Sequence, residues 1–300
     1  MQTQIIPWLI FTCCGTAAGI LWFFLADRRK HRDGKSMRLS LMIAVSGLLL
    51  GAFCARGLWV LFWIFMHPAF FVYRLDELSY YGGMAGVILA VVLSARAVGR
   101  KISDTLYIFA PAGAMIAAVF RFAEGFLGTL GFGKYLEHGV FFPVTVEVFY
   151  DQYYSEYYWA VFMLEGVLAL AAMALSVLHR KPDRFLWTLF WLCLPQILCE
   201  SLRIQSIRWL FVRCEQLTCF LVCEGLLVWY AFRHGARRFR SWIPALVGLA
   251  VCGLVIAVEF ALDGKILVGG RALSHPLLYG IMAAGLAMMA AAEHKSRLCR

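Results

Sequence analysis

A chain of 300 residues in which 62% are hydrophobic and 15% are charged lies far from the composition of soluble domains and close to that of polytopic membrane proteins. The formal net charge of +10 does not indicate nucleic-acid binding, because the basic residues stand in short clusters between apolar runs, where the positive-inside rule accounts for them. A soluble domain and a nucleic-acid partner are therefore excluded, and the lipid bilayer is predicted to surround the protein.

Windows of about 20 apolar residues predict nine membrane-spanning helices. They are placed at 5–26, 39–66, 80–98, 104–122, 158–178, 185–203, 216–232, 242–262 and 275–292. Most of the 28 Lys and Arg residues face inward if the N-terminus lies outside and the C-terminus is cytosolic, so this multi-pass orientation is favoured. The first run precedes the basic stretch 28–32 and is expected to be an uncleaved anchor.

The ten cysteines lie mostly within apolar runs, and none forms a CxxC pair. This pattern favours buried thiols that act as small hydrophobic residues. Cys219 and Cys223, one helical turn apart, are the pair to test for metal. No metal and no cofactor are expected.

The longest connection, 123–157, is predicted to face outside and is rich in aromatic residues. They include Phe126, Phe132, Tyr135, Phe141, Phe142, Phe149, Tyr150, Tyr153 and Tyr154. Such a segment either lies along the headgroup layer as part of an aromatic belt or forms a lid over a site in the outer leaflet.

Five polar side chains from five predicted spans share one depth. A helical rise of about 1.5 Å per residue places them about 21 to 27 Å above the cytosolic end, near the outer surface of a core about 30 Å thick. They are Arg56, Tyr81, Arg121, Glu165 and Glu200. Arginine and carboxylate charges at one depth can neutralise each other, and an arginine guanidinium can bind a lipid phosphate through two parallel hydrogen bonds. The alternatives are an outer-leaflet headgroup site and charges that snorkel separately.

Three further groups lie near this layer or below it. Glu200 and Arg203 stand three residues apart on one helix face, which also permits simple mutual neutralisation. Arg203 and Arg208 break the positive-inside pattern and favour an anionic partner near the outer surface. Glu224, about 14 Å deep, lies below the layer and is interpreted as a neutral or helix-bridging carboxyl.

The chain resembles a divergent member of the prolipoprotein diacylglyceryl transferase family. The segment ELSYYGGMAGVI at 77–88 parallels the Gly-Gly block that opens the family's third span. The segment ISD at 102–104 parallels the start of the family's fourth span, and CESLR at 199–203 parallels its Glu-Phe-Phe-Arg element. The resemblance covers 1–234. It implies an all-α polytopic protein of the bacterial cytoplasmic (inner) membrane, with a seven-helix transferase-like core and two extra C-terminal transmembrane helices in 235–300.

The resemblance implies transfer of the diacylglyceryl group of phosphatidylglycerol to the lipobox cysteine of a preprolipoprotein. Phosphatidylglycerol or a related anionic phospholipid and the preprolipoprotein signal peptide would be its partners. Arg121 corresponds to the arginine of the family signature GRxGNFxNGE, here RFAEGFLG at 121–128. The charged layer and the resemblance together predict catalytic Tyr81, Glu165 and Glu200, phosphate-binding Arg121, Arg56 and Arg203, and supporting Gly82, Gly83, Glu124 and Gln196.

Two departures from the family keep a second hypothesis open. Tyr81 stands where many members have the histidine proposed as a base, and Gln196 stands where the family has a second phosphate-binding arginine. These losses favour a non-catalytic, lipid-binding membrane paralogue that serves as a scaffold or partner. A transporter ranks third, because no pair of Gly/Pro-broken spans occupies matching halves.

Overall fold

The computed structural model describes residues 4–64, 77–150, 154–209, 212–233, 239–268 and 271–298. These residues contain nine helices long and apolar enough to cross a membrane. The helices are α1 (Ile5–His31), α2 (Lys35–Phe62), α3 (Tyr80–Val98), α4 (Ile102–Ala123), α5 (Val161–Leu178), α6 (Arg184–Leu202), α7 (Cys214–Arg233), α8 (Phe239–Leu262) and α9 (His275–Leu298). Each predicted span overlaps one of them, so the helical part of the prediction is confirmed, although several helices begin earlier or end later than predicted. Positions 65 and 66, the predicted end of the second span, lie outside the described residues.

Local capping explains where the third helix begins and ends. The Ser79 side chain accepts a hydrogen bond from the Gly82 N–H at 3.3 Å, which starts α3, and Gly99 ends α3 in the left-handed region at φ 73°. The predicted fourth span starts at Asp104, but α4 begins earlier, at Ile102. Asp104 therefore lies in the first turn, where its carboxylate is free to pair with neighbouring helices.

Contacts divide the chain into two compact units. The first comprises Met1–Leu192 and Leu202–Gln205, and the second comprises Cys193–Ser201 and Ser206–Arg300. Within the second unit, α7 packs against both α8 and α9. The division between 234 and 235 that the family resemblance implies stays a prediction.

Small residues bring α2 and α3 of the first unit into close contact. A Cβ atom built on Gly82 would lie 2.8 Å from the Ala55 Cα, and one on Gly86 would lie 2.8 Å from the Gly51 Cα. Glycines at this spacing allow two helix backbones to approach closely. Gly82, predicted to support a site, thus packs α3 on α2 directly beside Tyr81.

A buried carboxylate lies where the ends of the four helices α1, α2, α3 and α4 meet. Asp27 is fully buried and accepts a hydrogen bond from the Ser36 hydroxyl at 2.6 Å, while Arg100 Nη2 lies 3.5 Å away. His31 lies between two carboxylates, with Nδ1 2.9 Å from Asp27 and Nε2 2.7 Å from Asp104. These bonds explain how polar side chains are accommodated where four apolar helices meet.

The aromatic connection contains a small sheet of the first unit that the sequence analysis did not predict. After a 3₁₀ segment, Glu124–Gly131, three antiparallel strands form a sheet in the order β1-β3-β2. The strands are β1 (Tyr135–Leu136), β2 (Thr145–Phe149) and β3 (Ser155–Trp159); the second unit adds the two-stranded ladders β4 (Arg208–Trp209) with β5 (Val212–Arg213) and β6 (Leu267–Val268) with β7 (Arg271–Ala272).

One side of the three-stranded sheet is buried and the other carries exposed aromatic rings. Val148 and Tyr158 pack with Phe132 and Phe162 on the buried side, whereas Phe149 is exposed. The belt and lid interpretations of this connection both stay predictions, and Tyr153 lies outside the described residues.

Substitution of Gly82 by alanine is expected to destabilise the protein by about 1–3 kcal/mol, the usual range for overpacking. The added methyl would meet the α2 backbone at Ala55 and the Leu58 Cβ at 2.9 Å. Gly83→Ala is the matched control, because its nearest neighbour would be 3.8 Å away. Unfolding in detergent measures both variants, and equal stabilities would contradict the packing role of Gly82.

The sheet is expected to be less stable in acid. Hydrogen bonds donated by the Tyr154 and Tyr158 hydroxyls lower the pKa of Glu156. Because these bonds favour the ionised form, their contribution is present above the ordinary glutamate pKa of about 4.3 and is lost as the pH falls through the lowered value. Amide exchange should show weaker protection of β3 in acid, and Glu156→Gln should remove this pH dependence; the same dependence in that variant would refute the assignment.

Candidate functional site

Four charged side chains of the first unit meet at the end of α4. Arg121, Glu124, Glu165 and Arg203 form what we call the four-charge network. Arg121 Nη1 lies 2.6 Å from Glu124 Oε1 and 3.6 Å from Glu165 Oε2. Arg203 Nε donates to Glu165 Oε1 at 2.9 Å, and its Nη2 donates to Glu165 and to Glu124. Each arginine thus contacts both carboxylates.

The network is almost entirely removed from solvent. Arg121 and Glu165 are each 2% exposed and Arg203 is 7% exposed. Single charges inside an apolar helical protein are costly, whereas two positive and two negative charges cancel. Arg121 and Glu165 therefore do not snorkel separately; the structure brings these two predicted site residues together.

Backbone pairing next to the sheet holds Arg203 in place. Arg203 forms an antiparallel bridge with Gly133, and the Lys134 N–H donates to the Leu202 carbonyl at 3.0 Å. A Cβ on Gly133 would lie 2.7 Å from the Trp159 Cβ and 3.0 Å from the Leu202 carbonyl oxygen. Only glycine permits this approach, so the loop before β1 fixes where the arginine enters the network.

Two adjacent tyrosines of α3 surround the Arg121 guanidinium. Its carbon lies 3.6 Å from the centre of the Tyr80 ring, and its Nη2 donates to the Tyr81 hydroxyl oxygen at 3.4 Å. The Tyr80 hydroxyl in turn donates to the Ala117 carbonyl at 3.1 Å. The Tyr81 hydroxyl oxygen is thus in direct contact with the Arg121 guanidinium.

The remaining predicted residues have other surroundings. Arg56 is buried and its Nη1 lies 2.6 Å from the Glu77 carboxylate, with its guanidinium over the Trp59 ring. Gln196 and Glu200 are buried residues of the second unit. Their predicted association with Arg121 and Glu165 therefore stays a prediction.

The sequence missed a buried ion pair of the second unit. Arg213 Nε lies 3.4 Å from Glu259 Oε2, and Gln216 Nε2 donates to Glu259 Oε1 at 3.1 Å. The Arg213 Nη1 also donates to the Glu200 carbonyl at 2.9 Å. Counted from Arg240, Glu259 lies about 28 Å along α8. The same depth calculation, applied to α8, would have found it at the predicted charged layer.

Carboxylates of the chain itself neutralise the two arginines that break the positive-inside pattern. Arg203 pairs with Glu165 and Glu124, and Arg208 Nη1 lies 3.3 Å from the Asp263 carboxylate. An anionic partner for these two arginines stays a prediction.

No three His, Cys, Asp or Glu side chains converge as metal ligands in the part of the chain that the structure describes. Cys219 and Cys223 are both fully buried on α7. Thiols in such positions pack as small hydrophobic groups.

Comparisons with known proteins do not assign the chain to a family. No family model matches the sequence, and no curated protein matches it. The resemblance to prolipoprotein diacylglyceryl transferases thus rests on the residues quoted above.

Replacing Arg203 with methionine is expected to destabilise the protein by about 3–5 kcal/mol, because the buried Glu165 and the partly buried Glu124 lose a shared cation. Adding Glu165→Gln should restore part of this loss, which gives a favourable coupling energy in a double-mutant cycle. Arg208→Met is the control, since its ion pair is partly exposed and such pairs contribute about 0–1 kcal/mol. Additive effects of the Arg203 and Glu165 changes in detergent unfolding would show that the network is not coupled.

Proposed function

We propose that the chain is an enzyme of the prolipoprotein diacylglyceryl transferase type. It would move the diacylglyceryl group of phosphatidylglycerol to the lipobox cysteine of a preprolipoprotein in the outer leaflet of the bacterial inner membrane. The observation that carries this proposal is the cluster of two buried arginines, two glutamates and a tyrosine oxygen from separate segments of the chain.

The transfer needs a base and a cationic clamp. The cysteine sulfur forms a bond to the glyceryl carbon, the bond from that carbon to the phosphate oxygen breaks, and glycerol phosphate leaves with the electron pair. The thiol proton must pass to a base as sulfur attacks. Arg121 and Arg203 would hold the phosphate and stabilise its developing charge, while Tyr81 or Glu165 would take the proton.

Glu124 is the carboxylate of the four-charge network that a phosphate could most easily displace from the arginines. Its side chain is 15% exposed, against none for Glu165. An incoming phosphate would replace one carboxylate by another anion, so the two arginines keep a counter-charge throughout. Exchange of this kind avoids an unpaired buried cation, which is the costly state.

An open apolar surface of α1 is a candidate contact for acyl chains. It is lined by Pro7, Ile10, Phe11 and Cys14, and the Phe11 ring lies 6.0 Å from the Phe126 ring between centroids.

The basic clusters support a topology with the N-terminus outside and the C-terminus in the cytosol. Under this proposal the seven helices α1 to α7 form the transferase-like part, and α8 and α9 are additional.

A non-catalytic, lipid-binding scaffold is the second candidate. It is favoured by the charge balance of the network: two arginines and two glutamates neutralise one another without any ligand. The same contacts would serve a purely structural role.

A transfer assay separates the two candidates. Purified protein is incubated with a lipobox peptide and phosphatidylglycerol labelled in its diacylglycerol part, and label on the peptide cysteine is measured. Label is expected with the wild type. Arg121→Ala should reduce the transfer rate at least about 100-fold, which is the effect of removing one oxyanion donor.

Arg208→Ala is the matched control, because Arg208 is a basic residue outside the network; its rate should match the wild type. Normal product formation by Tyr81→Phe would remove Tyr81 from the mechanism. No transfer by a folded wild-type protein that still binds phosphatidylglycerol would refute the enzyme and leave the scaffold.

A further inference from the structure

Glu224 of α7 is a buried acid that differs from the other acids of the helices. It is 9% exposed and lies about 14 Å from the end of its helix at Arg233. Both carboxyl oxygens are buried and have no hydrogen-bond partner among the residues that the structure describes. Glu165 and Glu259, by contrast, are each paired with an arginine.

The Glu224 carboxyl occupies the space beside Gly248 of α8, where that helix has no side chain. A Cβ built on Gly248 would overlap the Glu224 Oε2 and lie 3.1 Å from the Glu224 Cδ. The Leu227 Cδ1 lies 3.1 Å from the same point. The acid therefore points from α7 onto the α8 backbone in apolar surroundings.

The titratable groups around Glu224 do not supply a positive charge. Cys252 of α8 and Cys223 of α7 lie within electrostatic range of its carboxyl. Cys223 also interacts with Glu293 of α9, and Glu293 pairs with Arg297 at 2.5 Å. No salt bridge joins Glu224 to a base within the described ranges, and Arg297 already pairs with Glu293.

We propose that Glu224 is a proton-binding site at the α7–α8 contact, which holds its proton at neutral pH and is thereby open to modification by hydrophobic carbodiimides. An isolated carboxylate in an apolar interior is far more costly than the neutral acid, and a proton is the smallest cation that removes the charge. The proton thus does for Glu224 what an arginine does for Glu165 and Glu259. This inference is independent of the proposed lipid transfer.

The modification needs the protonated acid. The carboxyl proton moves to one nitrogen of the carbodiimide, and the carboxylate oxygen bonds to the central carbon as one C=N bond becomes single. The acyl group then shifts from oxygen to nitrogen and leaves a stable N-acylurea, with no other reactant. Carboxylates held by arginine lack the proton and do not enter this reaction.

Treatment of the purified full-length protein in detergent with dicyclohexylcarbodiimide at pH 7 tests the proposal. Peptide mass spectrometry should find the adduct on Glu224 and not on Glu165 or Glu259 of the same sample. Labelling should fall as the pH rises and should be absent from Glu224→Gln, whereas Glu259→Gln, the matched control, should keep it.

Thermal unfolding supplies a second readout. Glutamine mimics the neutral acid, so Glu224→Gln should match the wild type below the ordinary glutamate pKa of about 4.3. It should retain stability that the wild type loses as the pH rises above that value, because the unfolded wild-type chain then releases a proton that the folded protein keeps. The proposal is overturned by an unlabelled Glu224 in folded wild-type protein, by equal labelling with a water-soluble carbodiimide, or by identical pH dependence of the two unfolding curves.

Discussion

The pairing of buried charges inside apolar helices is the interaction on which this structure depends. Arg121 of α4 and Arg203, which directly follows α6, belong to the first unit, and each contacts both Glu124 and Glu165. The cancellation permits four ionised groups where one would be prohibitive. It also fixes how α4, α5 and the chain after α6 approach one another, because guanidinium and carboxylate groups pair only in a narrow geometry.

The same rule operates at two other places with different partners. At the beginning of α4, Asp27 and Asp104 are held by His31, Ser36 and Arg100. In the second unit, Arg213 and Glu259 form the central pair of a network that joins α7 to α8. Helices α8 and α9 are thus part of a charge-bearing unit, which gives the proposed additional helices a physical role in holding α7.

Under the proposed function, one residue, Arg121, both binds the phosphate and contacts the base. Arg121 touches the tyrosine oxygen, the two carboxylates and the Tyr80 ring. A phosphate that displaced Glu124 would change the charge next to the Tyr81 oxygen at the same moment. Substrate binding and proton transfer would therefore be coupled through a single guanidinium, and Tyr80 would keep it oriented by stacking.

Hydropathy and span length in the sequence determined the nine helices that the described residues contain, since a helix that crosses lipid must be a long apolar run whose backbone bonds are internal. Counting residues along the spans also placed Arg121 and Glu165 at one level, because helical rise is constant. Only the tertiary structure decided that Glu124 and Glu165 share Arg203, that Tyr80 stacks on Arg121, and that 135–159 forms a sheet. Those features depend on how helices rotate about their axes and on pairing between distant strands, and neither is set by local sequence.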